Sequence, residues 1–313
     1  MRLQYSPRKC RTFYFKGEIS LTKQEKPIIG FVGTGVMGSS MVHNLQEAGY
    51  VVHIYTRTKA KAASLIESGA IWKDTIAELA STSNVIITMV GYPEDVRAIY
   101  FGEEGIIQQA NKGSCVIDMT TSDPALAEEV YKEALKYDIY SLDAPVSGGD
   151  VGAKNGTLTI MVGGEEAAFN KMMPIFEVLG ENIILQGKAG AGQHTKLANQ
   201  ITIATNMIGV CEAIIYAKHA GLDPSRMLDS IEAGAAGSWS LSNLGRRMIK
   251  EDYAPGFFVK HFIKDMKIAI QSAEKLGIST PGLSLSLELY EELAEQGESD
   301  SGTQALIKLL EKN

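Results

Sequence analysis

Ile28-Ile29-Gly30-Phe31-Val32-Gly33-Thr34-Gly35-Val36-Met37-Gly38 is a short apolar run that ends in a glycine-spaced turn. Met37–Ala48, which follows, has the apolar spacing of a helix, and Val51–Tyr55 is a second apolar run. Strand, GxGxxG turn, helix and second strand form the context in which such glycines hold a dinucleotide pyrophosphate. Gly33 allows the tight turn, Gly35 lets a phosphate approach the backbone, and Gly38 lets the helix pack closely on the strand. The helix N-terminus adds amide donors and a positive dipole end. Thr34, Val36 and Met37 complete this loop and are counted with its cofactor-binding residues. The second strand runs out into Tyr55-Thr56-Arg57-Thr58-Lys59, without the acid that would meet the 2′-hydroxyl of NAD. Arg57 can grip a 2′-phosphate with two parallel N–H groups and stack on adenine, and Thr58 and Lys61 add donors. NADP is therefore favoured over NAD.

Outward from this stretch the alternation continues. Val85–Met89, Ser114–Asp118, Ile139–Asp143, Thr157–Val162 and Asn182–Leu185 read as strands. Lys59–Glu67, Ile76–Leu79, Glu94–Tyr100, Pro124–Lys136 and Glu166–Leu179 read as helices between them. Such alternation predicts an α/β fold: a doubly wound, mostly parallel sheet covered on both faces. After Gly190 the pattern is helical nearly to Asn313. The chain thus divides into a Rossmann-type dinucleotide domain, residues 27–189, and an all-α substrate and dimerisation domain, residues 190–313. A long central helix from Gln193 to Ala220 connects them. Leu197, Ile201, Ala204, Ile208, Cys211 and Ile215 make one apolar stripe on it, and Ile203, Met207, Val210, Ile214 and Ala217 a second. A helix apolar around most of its circumference is buried on several sides. Three or four helices after Leu222 are too few to cover both stripes. A homodimer, or a tetramer built from dimers, is expected, with Ile203, Met207, Val210 and Ile214 near the shared surface.

The chain has 313 residues, enough for two cores. Its net charge of −7 offers nothing to nucleic acid or to an anionic membrane. No uninterrupted apolar run is long enough to span a bilayer. Cys10, Cys115 and Cys211 lie far apart and the five histidines are scattered, so no metal-ligand spacing exists and no metal is expected. An odd, sparse cysteine count fits a reducing, cytoplasmic setting. Residues 1–26 carry seven Lys or Arg against Glu18 and Glu25 and have no apolar core of a secretory signal. They are read as an arm outside the fold, disordered or non-native.

Four further motifs carry chemistry. Asp118-Met-Thr-Thr121-Ser122-Asp-Pro124 follows a strand, as does Asp143-Ala-Pro-Val-Ser147-Gly148-Gly149. The serine and two glycines expose backbone N–H groups beside a hydroxyl at the carboxyl edge of the sheet, which suits a carboxylate as well as a plain turn. In Gly190-Ala-Gly192-Gln-His-Thr-Lys196-Leu-Ala-Asn199-Gln200, Lys196 lies near the N-terminus of the long helix, where a cation is disfavoured. Partial burial would lower its pKa further and fit it to exchange a proton near neutral pH. Asn199 and Gln200 lie three and four residues on, along the same face. The last motif is Lys260-His-Phe-Ile-Lys264-Asp265-Met. By itself Lys264 reads as a partner for Asp265, and His261 as a packed histidine. Gly237-Ser-Trp239-Ser240 and Phe257-Phe258 are candidate pocket walls.

With the loop Gly33–Gly38, these motifs make the chain from Lys26 to its C-terminus resemble the β-hydroxyacid dehydrogenases. That group includes 3-hydroxyisobutyrate dehydrogenase, tartronate semialdehyde reductase and the glyoxylate and succinic semialdehyde reductases. The resemblance implies an NAD(P)-dependent oxidoreductase acting on a small-molecule carboxylate, with Lys196 as general acid/base beside Asn199 and Gln200. It implies that Ser147, Gly148 and Gly149 hold the substrate carboxylate. Thr121, Met89 and Val90 would line the nicotinamide side, and Lys264 would reach the cofactor from the helical domain. Many relatives carry a second asparagine where this chain has Gln200. Three alternatives stand: a 6-phosphogluconate dehydrogenase, whose extra C-terminal length is missing; an imine reductase; and a silent dinucleotide-binding scaffold. The last two are types that tend to lack the lysine.

Overall fold

The computed structural model describes residues 26–312. The expectation for the basic arm falls almost wholly outside these residues, as does Cys10. The N-terminal half begins with β1 (Ile29–Val32), α1 (Val36–Glu47), β2 (Val52–Tyr55), α2 (Ala63–Glu67), β3 (Ile71–Trp72), α3 (Ile76–Ser81) and β4 (Val85–Thr88). It continues through α4 (Pro93–Phe101), α5 (Ile106–Gln109), β5 (Cys115–Asp118), α6 (Pro124–Leu135), β6 (Tyr140–Asp143), β7 (Val146–Ser147) and α7 (Gly149–Asn155). β8 (Leu158–Gly164), α8 (Glu166–Leu179) and β9 (Gly180–Gly187) close it. The strands form one sheet in the order β3-β2-β1-β4-β5-β6-β8-β7, with β9 on β8. From β3 to β6 every pairing is parallel, and β8 then runs antiparallel to β6.

Alternation along the strands builds a core on each face. Ile29, Phe31, Val85, Ile87, Cys115 and Ile117 face α1 and α8. Val32, Ile86 and Val116 face α3, α4 and α6. The sequence pattern missed β3, β7, α5 and α7, which are too short to show a periodicity. The stretch expected as one helix over Lys59–Glu67 begins as a 3₁₀ turn at Lys59–Ala62.

α9 (Ala191–His219) opens the helical half. It is followed by α10 (Pro224–Ile231), α11 (Gly245–Ile249), α12 (Val259–Lys275), α13 (Pro281–Leu293) and α14 (Leu306–Leu310). The placement of a shared surface on Met207, Val210 and Ile214 is corrected here: all three are buried within the chain. More helices follow Leu222 than the pattern showed, and they close around α9 in a second core with Phe262, Tyr290 and Leu306. Of the four residues named, only Ile203 stays partly exposed. Apolar residues still exposed to some degree lie along the flank of α9, at Ile201, Ile208 and Ile215, with Tyr216 73% exposed. By length and composition α9 also passes as a bilayer-spanning helix, although, as expected from the sequence, it holds no uninterrupted apolar run of that length. In this fold it is the centre about which the helical core packs.

Candidate active site

The carboxyl edge of the parallel sheet collects the expected ligand segments because strand register aligns their starting points. Val32 pairs with Tyr55 and Thr88, Thr88 with Asp118, and Asp118 with Asp143. The glycine loop, Arg57, Met89–Val90, Thr121 and Ser147 follow these residues directly. β1 and β4 are neighbours whose connections leave in opposite directions, the switch point at which open α/β sheets bind ligands.

Gly33 has φ +99°, and an added Cβ would strike the Met89 carbonyl; one on Gly38 would strike the Gly33 carbonyl. Only glycine lets these three segments meet. A Cβ on Gly35, by contrast, would meet nothing within 4 Å, so the loop is open on that side. α1 begins there with no side-chain cap and no acid in its first turn, which leaves its first amides to an anion. Arg57 is exposed and lies 3.3 Å from Asp95 on α4. Thr58 makes no side-chain cap for the turn it precedes. A hollow of about 250 Å³ opens beside Tyr55, lined also by Asp74, Thr75, Ala98 and Gly105. It does not reach Lys196.

On the other side of the switch point a polar network fixes the chain after β4 and β5. Asp118 accepts from Thr88 Oγ1 at 2.8 Å and from the Thr120 amide at 3.1 Å. Thr120 Oγ1 accepts from the Val90 amide at 3.0 Å. Burial pushes the Asp118 carboxyl up to about 6, against the pull of the Thr88 and Thr120 hydrogen bonds.

Lys196 is buried, one turn into α9. Its ammonium is held down to about 8, first by burial; the Asp265 carboxylate opposes this and the Lys264 charge adds to it. Asn199 Nδ2 donates to Gln200 Oε1 at 2.9 Å, and Gln200 Nε2 donates to Asp265 Oδ2 at 2.6 Å. Both heteroatoms of the Gln200 amide are engaged by protein, which ties it to Asn199 on one side and Asp265 on the other. Lys264 donates to the Thr121 carbonyl at 2.8 Å and lies 2.9 Å from Asp265 Oδ1. That approach is ionic, because its angle leaves Oδ1 without a hydrogen bond. Lys264 is therefore both the partner of Asp265 and a bridge to the sheet edge.

Ser147, Gly148 and Gly149 lie at the end of β7 and the start of α7, with φ of +132° and +63° at the two glycines. A Cβ on Gly149 would lie 3.5 Å from the Gly256 carbonyl, so this loop faces the segment leading into α12. His261 on α12 sits 6.1 Å from the Tyr92 ring and 5.8 Å from Phe258, again spanning the two halves. Trp239 is two-thirds exposed, and Phe257 packs on Phe262 of the helical core.

Residue typing missed three members of the site. Asp143 accepts from the Gly190 amide through Oδ1 and the Gln193 amide through Oδ2, both at 2.8 Å. It thereby caps α9 from a neighbouring strand. Gln193, fully buried, bonds Thr120 and Ser122. Asp265 gathers Gln200 and Lys264. Each lies within a motif visible in the sequence, but these contacts join residues up to 73 positions apart and leave no local signal.

The residues present fit a nicotinamide dinucleotide. Among the described residues, the buried side-chain atoms with neither a hydrogen bond nor an ion-pair partner are Thr34 Oγ1 and Ser122 Oγ. Both lie on segments just described, as a site that completes its polar bonding with a ligand requires. Comparison with known proteins agrees. Residues 28–187 match the NAD binding domain of 6-phosphogluconate dehydrogenase. Residues 190–310 match the family described as NAD-binding of NADP-dependent 3-hydroxyisobutyrate dehydrogenase. The chain is 58% identical to the uncharacterized oxidoreductase YkwC of Bacillus subtilis (strain 168), over 91% of this chain and 99% of that one. It is 39% identical to 2-hydroxy-3-oxopropionate reductase of Escherichia coli (strain K12), over 90% and 97%. The structure of Mycobacterium tuberculosis 3-hydroxyisobutyrate dehydrogenase with L-serine superposes with a TM-score of 0.85 at 30% identity, covering 91% of this chain and 99% of that one. Motifs, sheet edge and comparisons converge: the chain belongs to the β-hydroxyacid dehydrogenase family and is a nicotinamide-dinucleotide-dependent hydroxy acid dehydrogenase.

Proposed function

We propose that the enzyme interconverts a small β-hydroxy carboxylate and its semialdehyde, or a close aldehyde acid such as glyoxylate, with NADP(H) preferred to NAD(H). The observation that carries this is Lys196: a buried lysine held at about 8 between Asp265 and Lys264. Near neutral pH such a group can give a proton to a carbonyl oxygen or take one from a hydroxyl. A bound nicotinamide supplies or takes up the hydride. Ser147 and the backbone of Gly148 and Gly149 hold the substrate carboxylate, and Asn199, oriented by Gln200, turns the reacting oxygen toward Lys196. Thr34, Gly35 and the first amides of α1 receive the pyrophosphate, and Thr121, Met89, Val90 and Lys264 bound the nicotinamide side.

Two things support the cofactor preference: no acid ends β2, and the helical half matches an NADP-dependent family. The Arg57–Asp95 contact is exposed, and such pairs contribute only roughly 0–1 kcal/mol, so Arg57 is free to turn to a phosphate. The enzyme works in the cytoplasm and self-associates along the flank of α9.

The test is a panel of 3-hydroxyisobutyrate, L-serine, 2-hydroxy-3-oxopropionate, succinic semialdehyde and glyoxylate with both cofactors. At least one aldehyde acid is reduced faster with NADPH, and Arg57→Ala raises the KM for NADPH while leaving that for NADH nearly unchanged. No turnover of any member overturns the substrate class; equal losses for both cofactors overturn the role of Arg57.

A further inference from the structure

Gln193 is wholly buried, yet it is polar and offers nothing to a ligand. Its Oε1 accepts from the Ser122 amide at 2.9 Å, and its Nε2 donates to the Thr120 carbonyl at 2.7 Å. One side-chain amide thus pairs with the chain leaving β5 as a neighbouring strand would, binding residues i and i+2. Its backbone amide is tied to Asp143. Lys196 stands three residues further along the same helix, and the carbonyl of the intervening Thr121 is taken by Lys264. The segment Thr120–Ser122 is therefore gripped from α9 and from α12, the two helices that carry Lys196 and Asp265.

We infer that Gln193 is a positioning residue: it sets the separation between Lys196 and the Thr120–Ser122 segment, and so between the proton-transferring group and the nicotinamide side of the site. This rests on the proposed function for the roles of those two elements. Reactions that need two groups held in register are sensitive to small displacements, and about 1 Å can cost about 100-fold in rate. If Gln193 merely glued the domains together, its loss would lower stability and leave the transfer step alone.

The experiment compares Gln193→Ala and Gln193→Met with Leu309→Ala, a core truncation in α14, the helix joined to the far end of α9 by the Lys218–Glu311 pair. Gln193→Met keeps the length of the side chain, loses both the acceptor for Ser122 and the donor to Thr120, and carries the test if the alanine variant does not fold. The readouts are amide hydrogen exchange at Ser122, NADPH affinity by fluorescence titration, kcat for succinic semialdehyde, and the primary isotope effect with NADPH deuterated at C4. The inference expects faster Ser122 exchange in Gln193→Ala and weaker NADPH binding in both variants, by a factor of about five or less. It expects kcat to fall at least about tenfold with an increased isotope effect, as for misaligned reactants. Leu309→Ala should lower Tm and change none of these. Wild-type affinity and isotope effect in the Gln193 variants, or the same losses in Leu309→Ala, would overturn it. Should the wild type reduce no aldehyde acid, the substrate class falls, while exchange and NADPH titration still decide the case of Gln193.

Discussion

Lys196 shows how one residue is set by opposed forces. Desolvation favours the neutral amine, Asp265 favours the ammonium, and Lys264 again the amine. With the group at about 8, the ammonium dominates below that pH and the amine above it. Carbonyl reduction needs the proton on lysine, so its kcat/KM should be level below pH about 8 and fall above. Hydroxy acid oxidation needs the amine, so its kcat/KM should rise with pH and level off above about 8. Asp265→Asn removes the charge that opposes burial, and both profiles should move to lower pH. Lys196→Met should lower kcat at least about 100-fold with little change in NADPH affinity, given what general acid–base catalysis usually contributes. Profiles that stay in place in Asp265→Asn would show that this carboxylate does not tune the lysine.

At the scale of elements, the seat of α9 on the sheet decides the site. Added Cβ atoms on Gly192 would collide with the Met161 and Asp143 carbonyls, and on Gly163 with the Asp143 carboxylate. The first turn of α9 thus lies directly on β8, where the Asp143 carboxylate receives the amides that an isolated helix would leave to water. This close seat puts Lys196 at the edge of the sheet. Gly192→Ala should push the helix off its seat at a cost of about 1–3 kcal/mol, the usual range for overpacking. Urea unfolding should show a lower midpoint, and kcat should fall as Lys196 moves. An unchanged midpoint would mean that the backbone there yields without strain.

For the molecule as a whole, α9 is enclosed by its own chain on the face that carries Met207, Val210 and Ile214. A carboxylate at Met207 would have no partner and no water, which costs several kcal/mol however it is relieved. Met207→Asp should therefore abolish the cooperative thermal transition rather than give a folded monomer. Tyr216, largely exposed on the flank, is the position that tests self-association. Tyr216→Asp should keep the wild-type Tm at low concentration and lower the sedimentation coefficient at micromolar protein. A folded Met207→Asp monomer, or Tyr216→Asp sedimenting as wild type, would refute these assignments.

The local code of this chain determined most of the Rossmann half, though not β3, β7, α5 and α7, which are too short to show a period. Strands of four residues with helices between them are short-range objects, and Gly33, Gly35 and Gly38 state their geometric purpose by their spacing. The places of Lys196 near the start of α9 and of Arg57 just past β2 were legible for the same reason, whereas the two-residue strand that carries Ser147 was not. Tertiary structure alone decided which stripe of α9 is covered, because periodicity shows that a face is apolar and not what lies against it. It also decided that Gln200 serves Asn199, that Asp143 caps a helix 47 residues later, and that Gln193 braces Thr120 and Ser122. A buried amide or carboxylate takes its meaning from its partner. Such partners are chosen by how the two halves dock, which no single window of sequence contains.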